Sequence, residues 1–326
     1  MTATLSASSP QVAGFVPISI VTLKVMGDVD YDLYLAEEEG QTPLLFRSRS
    51  YESTSEDFAA LASRGVQTLY VTTDDHSSYH RQLKDNLEAI LQSDEIEPEE
   101  RFGVLQTAVA AEIEKAFSLV HVENAVEQSH EVGGHIASLL RGSNTLPGDL
   151  FGVARHDYYT FTHLTNVASY GVLLAEQLGI SSEADLEAIA VGGLLHDIGK
   201  RLIPKQILNK PSRLTEEEFK IIQAHPQIGY EELHDREDLS RAQLMMVYQH
   251  HEKIDGTGYP VGITGEEMHP WARICAVVDV FDAMTAKRPY RDAMDVNVVL
   301  DRMLEGAGSH FDKEMVQCWA AAMRIN

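Results

Sequence analysis

The stretch Leu186-Glu-Ala-Ile-Ala-Val-Gly-Gly-Leu-Leu-His196-Asp197 decides how the second half of the chain is read. Leu186, Ile189, Ala190, Gly193 and Leu194 recur at helical spacing and lead to Asp197, with His196 alongside. An acid at the end of such a stripe is driven toward the core, where it costs several kcal/mol unless a cation meets it. The first expectation is therefore a buried helix that ends in a demand for positive charge.

The neighbouring segments repeat this pattern. A helix over Tyr159–Leu178 carries the stripe Leu164, Val167, Ala168, Gly171, Leu174 and Leu178, and His163 lies one turn before Val167 on its inner edge. Thr215 and Glu218 form a capping box for the next amphipathic helix, which His225 follows, and Pro226 and Pro270 suit first turns. His250 and His251 close a helix carrying Leu244 and Val247. Asp279 sits in Ile274-Cys-Ala-Val-Val-Asp-Val-Phe-Asp282, a run hydrophobic enough to require a buried helix. The glycine-rich stretch from Asp255 to Gly265 reads as a loop, and no alternating strand pattern follows residue 150, so this half is expected to be all-α.

His163, His196, Asp197, His225, His250, His251 and Asp279 thus supply five imidazoles and two carboxylates from separate helices. That composition suits one or two first-row metal ions without thiolates. One inward histidine alone is more often a satisfied core residue, and a histidine pair at a helix end is often only a cap. The ordered set is what points to a metal.

Before residue 142 the pattern differs. Phe15–Val25, Asp30–Ala36 and Pro43–Arg47 read as β segments, Ser55–Arg64 as a helix and Val66–Thr72 as a strand, which makes a small α/β unit. From Ser77 the chain turns helical. Phe102, Leu105, Val109, Ile113, Phe117 and Val120 form one stripe, and a second helix runs from about Val122 to Leu140. Such helices pack on a neighbour or pair two chains as a homodimer. His76 and His80 have the i, i+4 spacing of a helical metal site, but their neighbours are polar and no carboxylate pattern follows. Gly142-Ser-Asn-Thr-Leu-Pro-Gly148 reads as a linker. The expected plan is a flexible tail over 1–14, an α/β unit with connecting helices over 15–141, a linker over 142–150 and a helical domain over 151–326.

Composition limits the partners. The 326 residues include 26 basic and 50 acidic side chains, a net charge of −24, with 44% hydrophobic residues, as in a globular protein. Non-specific binding to DNA, RNA or anionic membranes is disfavoured, and an anionic substrate must meet local positive charge from a metal or aimed Lys and Arg residues. Cys275 and Cys318 are too few for a disulfide scaffold or a thiolate zinc cluster and suit a reducing cytoplasm. Met1–Gly14 has no basic residue and does not read as a signal peptide, and no apolar run reaches a membrane span.

Leu194-Leu-His-Asp-Ile-Gly-Lys200, His250-His-Glu-Lys-Ile-Asp-Gly-Thr-Gly-Tyr-Pro260 and Asp279-Val-Phe-Asp-Ala-Met-Thr-Ala-Lys-Arg-Pro-Tyr-Arg291 together resemble the HD-GYP subgroup of the HD phosphohydrolase superfamily, from about Asp157 to the C-terminus. The resemblance implies a helical domain that hydrolyses cyclic dinucleotides, chiefly cyclic di-GMP, with divalent ions, usually iron or manganese, behind a small regulatory domain. It makes the seven residues above the metal ligands, with Asp197 bridging. Lys200 would meet the scissile phosphate, Tyr259 would line the pocket, and Asp282, Arg288 and Arg291 would contact substrate. Members with a third ion carry glutamate four residues before the first histidine; here Tyr159 stands there, so two ions are expected. Two close ions can activate water and clamp both oxygens of an in-line displacement at phosphorus, so no separate protein base is required. Other readings are an HD-type hydrolase of another nucleotide, such as cyclic GMP-AMP, and a cyclic dinucleotide receptor without turnover. Intact Asp197, Lys200 and the five histidines weigh against the receptor.

Overall fold

The computed structural model describes residues 14–36, 41–93, 96–118, 122–141, 160–210, 212–286 and 293–324. By internal contacts the chain divides into two compact units, Met1–Ala108 and Val109–Asn326.

In the first unit, β1 (Phe15–Ser19), β2 (Leu33–Leu35), β3 (Leu44–Arg47) and β4 (Thr68–Thr72) form an antiparallel sheet in the order β1-β4-β2-β3. The helices are α1 (Ile20–Met26), α2 (Ser55–Ser63), α3 (His76–Asp85) and α4 (Leu87–Leu91). The expected strand over Phe15–Val25 stops at Ser19, and α1 replaces its second half. Ser19 accepts a hydrogen bond from the Val21 amide as N-cap, and Ile20 and Leu23 are buried, which a helix achieves at three-residue spacing. β-branched content alone does not distinguish the two outcomes. Tyr31 and Tyr79 meet edge-to-face at 6.1 Å in the core of this unit.

The helix α5 (Pro98–Ser118) buries Phe102, Leu105, Val109, Ile113 and Phe117, as its stripe requires. The division between the units falls inside α5, and the linker expected over 142–150 lies outside the described residues. Helix α6 (Val122–Leu140) packs on α7 (Thr160–Gln177) and α8 (Glu183–Leu195), so its apolar face is part of the helical unit's core.

The second unit continues with a 3-10 turn (Ile198–Leu202), α9 (Lys205–Leu208), α10 (Glu216–Ile222), α11 (His225–Leu233), α12 (Arg241–Gln249), α13 (Pro270–Thr285), α14 (Val296–Glu305) and α15 (Lys313–Met323). Its described residues contain no strand. Capping boxes at Thr215/Glu218 and Ser240/Gln243 start α10 and α12. Helix α8 lies against α6, α7 and α12, and α13 covers α7 and α12. Tyr170 of α7, Phe281 of α13 and Trp319 of α15 lock the layer, with Trp319 5.4 Å from Tyr170 and 5.2 Å from Phe281. Trp319 is fully buried. Trp319→Ala is expected to cost about 3–5 kcal/mol, read as a lowered midpoint in thermal or urea unfolding; an unchanged midpoint would show that this cluster does not hold the layer.

Candidate metal centre

Three ligand histidines sit at helix ends, where a ring can bond to backbone and still face inward. His196 caps the C-terminus of α8 and donates from Nδ1 to the Gly193 carbonyl at 2.6 Å. His225, first in α11, donates from Nδ1 to the Ile222 carbonyl at 2.7 Å. His250 ends α12 and donates from Nδ1 to the Val247 carbonyl at 2.9 Å. With the proton held on Nδ1, each ring presents the Nε2 lone pair to the centre. His163 uses the same device with a side chain, donating from Nδ1 to Asp282 at 2.7 Å.

These nitrogens converge on two carboxyl groups. Asp197 Oδ1 lies 3.1 Å from His225 Nε2 and 3.7 Å from His250 Nε2. Its Oδ2 lies 3.4 Å from His196 Nε2 and 3.8 Å from His163 Nε2. Asp279 Oδ1 is 3.2 Å from His163 Nε2 and 3.9 Å from His196 Nε2. Asp197, His225, His250 and His251 form one group able to hold a metal, His163, His196 and Asp197 a second, and His196, His250 and Asp279 a third, each with ligand atoms within 4.8 Å of one another. All seven expected ligands are brought together, and Asp197 belongs to two groups.

A divalent ion fits this cradle on two counts. His196 Nε2 and Asp197 Oδ1 are buried without a hydrogen-bond partner. His225 Nε2 and His250 Nε2 face each other at 3.1 Å with their protons on the opposite nitrogens, so two lone pairs are opposed until a cation lies beside them.

The backbone brings Asp197 to His225 through a glycine. A Cβ on Gly199 would lie 2.1 Å from the His225 carbonyl oxygen and 2.7 Å from the Gly229 nitrogen, so only glycine lets the turn after Asp197 rest on α11. Lys200 Nζ donates to Asp197 Oδ2 at 2.5 Å from a partly exposed position. The Tyr259 amide donates to the His251 carbonyl at 3.1 Å, and its ring lies 4.7 Å from the His251 ring. Burial first, then the charges of Asp197 and Asp279, push the Tyr259 hydroxyl up, so it stays protonated and able to donate. Arg288, Arg291 and Tyr159 lie outside the described residues.

Asp282, expected to contact substrate, meets two side chains of α7. It is buried behind the centre, with one oxygen on His163 and the other accepting from Asn166 Nδ2 at 2.8 Å. Both oxygens are thus used in orienting a ligand. Asn166 and Asp282 follow His163 and Asp279 by three residues, the spacing of one helix face, and that was the signal in the sequence. Glu252 is buried beside His250 and His251.

Groups of opposite charge face one another in the centre. Burial opposes the charged form of Asp197, yet Lys200 and then His196 hold its carboxyl well below the usual range. Burial likewise opposes the Asp279 charge, and the His163 bond and the nearby imidazoles outweigh it. For His163, burial is overcome by hydrogen bonds to Asp279 and Asp282, raising it to about 10. Burial pushes His250 down to about 4, and burial together with the neighbouring His250 holds His251 well below its ordinary value.

Residues 153–315, half of the chain, match the HD domain family. The chain belongs to that family. It is 37% identical over 215 residues to cyclic di-GMP phosphodiesterase PA4108 of Pseudomonas aeruginosa, covering 66% of this chain and 50% of that protein. It is 43% identical over 167 residues to 3'3'-cGAMP-specific phosphodiesterase 3 of Vibrio cholerae serotype O1, covering 50% of this chain and 34% of that protein. The chain therefore spans half or less of the length of these curated relatives. Bd1817, an HDG"Y"P protein from Bdellovibrio bacteriovorus, shares the fold with a TM-score of 0.66 at 19% identity, over 95% of this chain and 99% of that one. Among the described residues no helix is long and apolar enough to cross a membrane.

The protonation pattern makes metal uptake by this HD domain pH-dependent. At neutral pH His250 and His251 already present neutral rings, whereas His163, raised to about 10, must lose its proton to become a ligand. Metal binding to the stripped protein at pH 7 is expected to release about one proton per chain, with affinity rising as pH rises toward that value. Calorimetry in buffers of different protonation enthalpy measures it; an enthalpy independent of buffer would contradict the assignment of His163.

Proposed function

We propose that the helical unit is a metal-dependent phosphodiesterase that opens cyclic di-GMP to linear pGpG. The observation that carries this reading is the sharing of Asp197 between two ligand groups, with Lys200 and Tyr259 at the same centre. Divalent ions held there would supply Lewis acidity toward the phosphate and lower the pKa of the attacking water. The chain's own residues supply the rest. Asp197 and the imidazoles hold the ions, and Asp282 and the backbone carbonyls keep those rings in one tautomer. Lys200 sits where its ammonium can turn from Asp197 to a phosphate oxygen, giving local positive charge in a chain of net −24. The protonated Tyr259 hydroxyl donates to substrate, and Arg288 and Arg291 grip guanine or phosphate groups.

We assign two ions, iron or manganese, because Tyr159 replaces the acid that a third would need. A phenol of pKa about 10 is a poor ligand beside an ionised carboxylate. Relatives named for cyclic di-GMP hydrolysis support the substrate. A second reading, hydrolysis of 3'3'-cGAMP, draws on the Vibrio cholerae relatives named for it. The N-terminal α/β unit is assigned a regulatory role, with pairing of its helices as a route to a homodimer.

Turnover assays with the iron- and manganese-loaded chain, against cyclic di-GMP and 3'3'-cGAMP separately, decide between the substrates. Asp197→Asn should remove most of the metal and reduce hydrolysis by at least about 100-fold with helical circular dichroism preserved; retained activity would remove Asp197 from the bridging position. Arg288→Ala should weaken substrate binding with metal content intact. Elemental analysis finding three tightly bound ions per chain would overturn the two-ion assignment.

A further inference from the structure

The ligand pair His250-His251 is followed at once by an acid with no part in the centre. Glu252 is 1% exposed and makes no ion pair among the described residues. A carboxyl group buried in this way needs hydrogen-bond donors. It takes them from the backbone of the loop ten residues ahead. The Val261 amide donates to Oε1 at 2.7 Å, and the Gly262 amide is shared between Oε1 and Oε2, at 3.0 Å from each.

The same loop is pressed onto the segment bearing the ligands. A Cβ on Gly258 would stand 2.4 Å from both the Glu252 Cα and the Lys253 nitrogen, so the chain passes there with no room for a side chain. Between these two attachments lies Tyr259, its amide on the His251 carbonyl and its ring over the His251 ring. The only side chain joining the far limb of the loop to the ligand segment, among the bonds described for that limb, is Glu252.

We infer that Glu252 is the positioning residue for Tyr259: its carboxyl clamps the Val261 and Gly262 amides and so holds the Tyr259 ring over His251 at the mouth of the metal centre. Glu252 touches neither metal nor substrate and acts through the loop backbone. The catalytic consequence rests on the phosphodiesterase reading above, whereas the clamp itself does not. Because Glu252 carries both the ligand segment and the substrate loop, it ties the place of the substrate to the place of the ions.

The test uses the full-length, metal-loaded chain with Glu252→Ala, Glu252→Gln, Tyr259→Ala and the double variant Glu252→Ala/Tyr259→Ala. Hydrogen exchange over residues 255–265, including the Tyr259 amide, should quicken in Glu252→Ala with metal content unchanged. The KM for cyclic di-GMP should rise about tenfold in Glu252→Ala with kcat changed far less. Glu252→Gln, which keeps the oxygen that receives both amides, should lie closer to wild type on both measures. On the Tyr259→Ala background, Glu252→Ala should add no more than about twofold, because a residue that acts through Tyr259 has nothing left to position. Full additivity of the two variants, loss of metal in Glu252→Ala, or unchanged exchange at the Tyr259 amide would overturn the inference. If wild type turns over no cyclic dinucleotide, the phosphodiesterase reading fails, and the exchange data alone decide the clamp.

Discussion

Asp197 is a buried carboxylate within 4 Å of four imidazole nitrogens, and the helical unit is organised around that demand for positive charge. Removing such a group from water costs far more than packing returns unless cations are fixed nearby. The Lys200 ammonium, 2.5 Å from Oδ2, and then the neighbouring His196 ring hold the Asp197 carboxyl in its charged form. On the function proposed above, divalent ions would supply more charge at the same point, Lys200 would be free to meet substrate, and His163 would give up a proton to become a ligand. On that reading metal uptake, proton release and substrate affinity follow from one electrostatic constraint.

The same constraint explains why the ligands cluster at helix ends. A helix terminus leaves backbone carbonyls without partners, and a ring that bonds one of them with Nδ1 has its other nitrogen directed along the axis, out of the helix. His196 and His250 do this at the ends of α8 and α12, and His225 does it across the junction of α10 and α11. Cap and ligand, which read as competing explanations of such histidines, are two ends of one side chain.

Beyond the ligands, a layer of polar residues fixes their orientation and that of the loop. Asp282 and Asn166 stand behind His163, and Glu252 stands behind His251 and Tyr259. Each is buried and accepts or donates hydrogen bonds inside the protein. Buried polar groups of this kind cost stability in isolation. Here they hold the imidazole rings and Tyr259's loop in one arrangement.

The helical half was legible because its information is local. Apolar stripes at 3.6-residue spacing, capping boxes and the order of the His and Asp motifs all lie within short windows, and they led to the helices and to the seven side chains that the fold brings together. The N-terminal half was less so: Ile18-Ser-Ile-Val-Thr22 suits strand or helix by content, and the capping bond of Ser19 settles it in favour of α1. The place of α6 depended on which core received its apolar face, which packing on α7 and α8 decided. The contacts of Asp282 with His163 and Asn166 join residues 119 and 116 positions apart, so only the folded chain shows them. Glu252 carried no signal because its partners are backbone amides, which every sequence possesses. Spacing along the chain determined which side chains point inward; only the folded chain, by setting what each meets there, decided whether they bind metal, orient a ligand or hold a loop.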